Sequence, residues 1–129
     1  MKNHRRGRER GQELVEYAII LPIFLLILMS ILDLGRAVYC YSAIQNSARE
    51  GARYGVIHPE DVAGIEAVVQ RKAVGLNPAA MTVTVVLPDE DTIRVAVSFQ
   101  FRAVTPIIGA LLGANEITLA SQSTMRIEG

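Results

Sequence analysis

The side chains able to do chemistry are few and scattered. His4, His58, the single Cys40 and the acidic run Asp89-Glu90-Asp91 are the candidate bases, nucleophile and metal ligands. Neither histidine has a serine, cysteine or carboxylate at a spacing that makes a nucleophile–base pair. One cysteine excludes an intrachain disulfide, and with two histidines it leaves little for a zinc site. The acidic run lacks an EF-hand ligand pattern and reads as a solvated hairpin tip. No glycine-rich phosphate loop follows a strand. The expectation is a protein that is not an enzyme and that carries no metal and no cofactor. What remains is the chemistry of one peptide bond and one charge. Gly11 follows a basic tract, and Glu16 stands two positions inside an apolar run. An acid so placed is unfavourable by a few kcal/mol unless it is paired or near the interface. One reading leaves Glu16 at the cytoplasmic interface, complementing a helix N-terminus. The other has the chain cut after Gly11, so that Gln12 gains a free α-amine and Glu16 becomes the fifth residue. An amine and a carboxylate from neighbouring subunits can then neutralise each other at low dielectric.

The element that must position these groups is the apolar run itself. Lys2, Arg5, Arg6, Arg8 and Arg10 face one acid, Glu9, in the first eleven residues. Residues 14–32 follow, almost wholly apolar and interrupted only by Glu16, Pro22 and Ser30. Nineteen helical residues cover about 28 Å, close to the hydrocarbon thickness of a bilayer. The next cations are Arg36 and then Arg49, a bias that puts the N-terminus in the cytoplasm and the C-terminal part outside. A cleaved secretory signal would have a shorter apolar core and a small-x-small site. This run is longer, and its far end reads Ser30-Ile31-Leu32-Asp33-Leu34. Over the whole chain of 129 residues, 13 Lys+Arg balance 13 Asp+Glu, which gives no sign of nucleic-acid binding. A charged fraction of 20 % and mean hydropathy of +0.29 argue against global disorder.

No strong breaker falls between Asp33 and Tyr54 apart from Gly35, so the span is expected to continue as one helix from about residue 12 to 54, roughly 65 Å long. Pro22 is expected to kink it, and Asp33 and Arg36 can pair at the outer interface. Ala43, Ser47, Gly51 and Gly55 recur every four residues and form a stripe of small side chains. Such a stripe admits close packing, either by the protein's own sheet or by a helix of another subunit. Cys40 is either a small helix residue or a crosslinking site, and Tyr39 and Tyr41 could join an interfacial aromatic belt.

The remainder reads as a small α+β domain. His58-Pro59 ends the long helix, and Pro59-Glu60-Asp61 suits the first turn of another. Val62, Ile65, Val68, Val69 and Ala73 give that helix an apolar face, with Gly75 as its cap and Asn77-Pro78 as a turn. Val83, Val85 and Leu87 alternate in a first strand, and Pro88 to Asp91 make a turn. Ile93, Val95, Val97, Phe99 and Phe101 alternate with polar or small residues in a second strand. Thr105-Pro106 opens a short helix or loop to Leu112; Pro106 to Leu112 could instead dip into the outer leaflet, and its seven residues are too few to span. Ile117, Leu119, Met125 and Ile127 carry the last strand. The expected organisation is a basic leader over 1–11, a long helix over 12–55 with a transmembrane span at 14–32, and an extracytoplasmic domain over 56–129. That domain would be a three-stranded antiparallel sheet packed on the extracytoplasmic end of the helix.

Several of these stretches carry a resemblance. Gly11-Gln12-Glu13-Leu14-Val15-Glu16-Tyr17 looks like the class III prepilin processing motif, with the Glu-Tyr pair found in Flp and Tad pilins. Leu21-Pro22, Asp33-Leu34-Gly35-Arg36 and Ser47-Ala48-Arg49-Glu50-Gly51-Ala52-Arg53 resemble the TadE-like family of pseudopilins. The Thr105-Pro106 segment is similar to a membrane-proximal segment of the same family. The resemblance implies a minor pilin or pseudopilin of a Tad/Flp-type pilus or secretion system. It implies cleavage between Gly11 and Gln12 by a membrane-embedded aspartic prepilin peptidase, with Glu16 aligning the subunit and Tyr17 packing beside it. The implied partners are that peptidase, other pilin or pseudopilin subunits, the Tad inner-membrane platform and membrane lipid, with no nucleic acid. The residues alone also admit a single-pass anchored binding or sensor module.

Overall fold

The computed structural model describes residues 4–127, with side chains from Arg10 onward. The basic side chains of Lys2, Arg5, Arg6 and Arg8, and that of His4, lie outside the described residues. Helix α1 runs from His4 to Ile57, 54 residues, or about 81 Å at 1.5 Å per residue. Helix α2 (Val62–Lys72), a 3₁₀ turn (Pro78–Ala80), strand β1 (Met81–Asp89), strand β2 (Thr92–Arg102), helix α3 (Pro106–Leu112) and strand β3 (Glu116–Arg126) follow. The architecture is α+β, a long apolar N-terminal helix leading into a small domain with a three-stranded antiparallel sheet, as the sequence indicates.

The helix is longer than its sequence signs suggest. It starts before Gly11 rather than after it, and it runs through Pro22 without interruption. Once nucleated, a helix propagates at little cost per residue, so one glycine, unfavourable by about 1 kcal/mol, does not stop it. Ser30 Oγ bonds back to the Leu26 carbonyl at 2.8 Å. The helix ends where Pro59 disfavours the α conformation of the residue before it.

Strand β2 is central, antiparallel to β1 on one side and β3 on the other. Its alternation puts Ile93, Val95, Val97, Phe99 and Phe101 on one buried face. Against that face lie Ile44, Ala48 and Ala52 of α1 and Ile65 and Val69 of α2. Three expectations need correction. Strand β1 does not stop before Pro88; it continues to Asp89 through a register shift between Val86 and Asp89. The shift takes Leu87 off the inner face and leaves it half exposed, and Pro88 is tolerated because β1 is an edge strand. Pro59 and Glu60 are a turn, and Asp61 is the N-cap of α2 rather than part of its first turn. Val62 is exposed, whereas Ile65, Val68, Val69 and Ala73 are buried.

The sheet runs back along α1. Ile93 lies against Gly55, near the end of the helix, and Phe101 lies under Arg36, close to the apolar run. Helix α3 interrupts the β2–β3 connection at that lower end.

Candidate membrane and assembly surface

Two different environments divide α1. The section Arg10–Ile57 contains a stretch long and apolar enough to cross a membrane, and only 6 % of that window is buried. The core helix of a soluble protein would be mostly covered. Here Leu14, Ile20, Phe24, Ile27 and Leu32 all face outward, so residues 14–32 present an apolar cylinder that the rest of the chain leaves bare. This candidate span near the N-terminus suggests a single-pass membrane protein. Gly11 and Gln12 lie within α1, both exposed, and a side chain at Gly11 would meet nothing within 4 Å. Glu16 makes no ion pair or hydrogen bond among the described residues. It shares a cleft of about 330 Å³ with Glu13, Tyr17 and Ile20. Glu13 and Glu16 are one turn apart, so two like charges repel on one face. Tyr17 is 71 % exposed and equally without a neighbour from the domain.

Above residue 40 the same helix is a core element. Ala43 is half-buried, and Ser47, Gly51 and Gly55 are buried. A Cβ on Gly51 would stand 2.5 Å from Val69 Cγ2 and 3.4 Å from Val95 Cγ1, and one on Gly55 would run into Ile93 Cδ1. Ser47 Oγ donates to the Ile44 carbonyl at 2.9 Å. At 51 and 55 the close approach is therefore made by α2 and β2 of this chain. Cys40 is a free thiol in the core, and burial pushes it above the ordinary thiol range. The Tyr39 hydroxyl donates to the Val74 carbonyl at 2.9 Å, tying α1 to the loop after α2.

The junction between the two environments is Asp33, the first residue beyond the 14–32 stretch. Its pairing with Arg36 is present, Nη1 to Oδ1 at 3.1 Å, and the guanidinium carbon sits 5.3 Å from the centre of the Phe101 ring. The other carboxylate oxygen has two partners that no local pattern announces. Asp33 Oδ2 accepts the backbone amides of Val104 at 2.9 Å and Thr105 at 2.6 Å, so one buried carboxylate fastens the start of α3 to the top of the span. The Thr105 side chain and amide, then the Val104 amide and Arg36, hold the Asp33 carboxyl below its ordinary value of 3.8, against the opposing effect of burial. The Thr105 hydroxyl acts there as a nearby dipole, since its Oγ1 is buried without a hydrogen bond of full geometry. The contact joins residues 72 apart, and no local pattern could have revealed it.

A second node closes the far end. Asp61 Oδ1 accepts the Gly64 amide at 3.0 Å, and its Oδ2 accepts the Tyr54 hydroxyl at 2.9 Å. These bonds lower the Asp61 carboxyl and raise the Tyr54 phenol. His58 stacks on Tyr54 with ring centres 4.8 Å apart, which gives this histidine a packing role. Asp91 meets Arg126 at 3.8 Å with both side chains exposed, a contact worth little. Among the described residues no cluster of His, Cys, Asp or Glu could hold a metal ion.

No curated protein and no solved structure matches the chain. Residues 11–53, a third of the sequence and all of it on α1, match the family model for TadE-like protein, and this segment together with the candidate membrane span fits a component of a Tad-type pilus system.

Proposed function

We propose that the chain is a TadE-like pseudopilin or minor pilin, held in the cytoplasmic membrane by residues 14–32 and acting in assembly rather than catalysis. The observation that carries this reading is the division of α1: its upper part is built into the domain, while its lower part offers an uncovered apolar surface headed by an acid with no partner among the described residues. Such a surface is suited to lipid before assembly and to other helices after it. The N-terminus is cytoplasmic and the domain extracytoplasmic, in keeping with the crowd of cations before the span.

Maturation is cleavage after Gly11 by a prepilin peptidase. The leader carries five of the thirteen cations and one acid, so its removal leaves the remainder four charges negative by side chains. Both residues flanking the bond are helical, so the peptidase must unwind a turn. Glycine, with the weakest helix preference apart from proline, makes that easier. The new Gln12 amine then meets Glu16 of a neighbouring subunit, where low dielectric strengthens the pair. Prepilin peptidase, fellow pilin subunits and the Tad inner-membrane platform are the partners of this cycle.

The test is mass spectrometry of the membrane-extracted protein from cells with an active prepilin peptidase. The mature chain should begin at Gln12, and Gly11→Leu should retain the leader. A functional chain that keeps Met1 would overturn maturation and favour an anchored binding or sensor module.

A further inference from the structure

Much of α3 is left uncovered by the described residues. Leu111 is 79 % exposed, Leu112 61 % and Val104, just before the helix, 62 %. Four features fix what lies against them. The Asp33 carboxylate bonds to Val104 and Thr105, which holds α3 at the level where the 14–32 stretch ends. Leu34, two residues past the 14–32 stretch, is also exposed and shares a cleft lining with Leu111 and Leu112, so the apolar surface of the span adjoins that of α3. Between α1 and α3 opens a cleft of about 320 Å³ whose lining includes Leu34, Phe101, Ile108, Leu111 and Leu112, together with Asp33. Beside it, Arg36 and Arg102 line a separate recess with Thr105 and Asn115, so two cations flank the apolar patch.

We propose that α3 with Val104 is a membrane-inserted wedge, its Leu111 and Leu112 side chains sunk in the leaflet on the C-terminal side of the span and Arg36 and Arg102 facing lipid headgroup phosphates. Seven residues are too short to cross, so the wedge lies in the interface and not across the bilayer. Aliphatic side chains at acyl depth beside guanidinium groups at phosphate depth match the layering of a bilayer surface. The wedge gives the domain a second point of attachment, so the domain cannot swing freely about the top of a single helix. The inference rests on residues 14–32 crossing the bilayer, and the experiment separates the two.

The full chain with Cys40→Ala is placed in phosphatidylcholine–phosphatidylglycerol vesicles carrying one spin label, introduced by Ile27→Cys, Leu111→Cys or Gln122→Cys in turn. Position 122 is on the exposed outer side of the sheet. Relaxation by oxygen, which concentrates in lipid, is compared with relaxation by a water-soluble nickel complex. Labels at 27 and 111 should favour oxygen and the label at 122 nickel. Adding Leu112→Asp should reverse the ratio at 111 while leaving 27 unchanged. A nickel-dominated label at 111 with a lipid signature at 27 overturns the wedge alone. A label at 111 shielded from both reagents means that protein covers α3, which also overturns it. Nickel access at 27 overturns the span and the wedge together.

Discussion

The two buried glycines of α1 should respond differently to the same added methyl. Gly→Ala within a helix is favourable by about 1 kcal/mol through backbone propensity, and overpacking a filled core is unfavourable by about 1–3 kcal/mol. Which effect wins depends on the neighbour. At Gly51 the new Cβ meets Val69 Cγ2 at 2.5 Å, with Val95 Cγ1 at 3.4 Å and Ile65 Cγ2 at 3.6 Å behind it. Valine is stiff at χ1 in a helix, and Val69 is wholly buried, so either α2 or the strand must move. At Gly55 the first obstacle is Ile93 Cδ1 and the next is Ile65 Cδ1 at 3.1 Å, both tips of longer side chains with a further torsion to turn. Gly51→Ala should therefore be destabilised by about 1–2 kcal/mol, while Gly55→Ala should stay within about 0.5 kcal/mol of the parent once propensity offsets strain. For a domain of this size, 1 kcal/mol moves the midpoint by about 4–8 °C. Thermal unfolding in detergent, followed by circular dichroism, reads the difference directly. Equal midpoints for the two variants, or a lower one for Gly55→Ala, would refute the assignment of Val69 as the rigid wall.

Other consequences can be checked separately. Glu16→Ala should leave membrane insertion and removal of the leader intact yet sharply reduce recovery of the subunit in sheared pilus fractions; normal incorporation would remove Glu16 from the assembly role. Folding lowers the Asp33 carboxyl, so its bonds to Val104 and Thr105 are fully available above pH 3.8 and are lost as pH falls through the lower folded-state value. Hydrogen exchange at those two amides, corrected for intrinsic rates, should accelerate only in that acid range, and Asp33→Asn should flatten the profile. Cys40, buried with a raised thiol, should resist maleimide in the native protein and react fully after unfolding in denaturant. Prompt native labelling would mean that α1 and the sheet part at that level.

What could be read in the sequence was whatever local periodicity controls. Strand β2 shows a strict alternation from Ile93 to Phe101 because one face of it is core, and the apolar run over 14–32 declares itself by length alone. The stripe at 43, 47, 51 and 55 announced that something comes close, but small residues do not name their neighbour; Ile65, Val69 and Ile93 do so only in three dimensions. Leu87 was misplaced because a register shift is decided by strand pairing, not by the strand's own pattern. Asp33 showed its i, i+3 link to Arg36 and concealed its bond to Thr105, since contacts that distant leave no periodic trace.

The division of α1 bears on how an assembled structure would be specified. Between residues 14 and 32 the small residues are Ala18 and Ser30, and the rest are chiefly Leu, Ile and other large apolar side chains. In lipid there is no hydrophobic drive for one such helix to leave acyl chains for another, and close small-on-small crossings supply much of the packing energy. The small residues of this chain lie higher, where α2 and β2 already cover Gly51 and Gly55. A neighbouring subunit approaching the span therefore meets mostly large apolar side chains, with no stripe of small residues to fix its height or rotation. Glu16 breaks that uniformity, with Glu13 and Tyr17 beside it. On the proposed maturation, a misaligned neighbour would leave Glu16 unpaired, unfavourable by a few kcal/mol, and an aligned one would offer the Gln12 amine that neutralises it. The acid would then set register by penalising every other register. Glu16→Gln should accordingly broaden the axial spacing of those subunits that still incorporate, whereas a change confined to the aliphatic surface, such as Ile27→Leu, should alter neither spacing nor recovery.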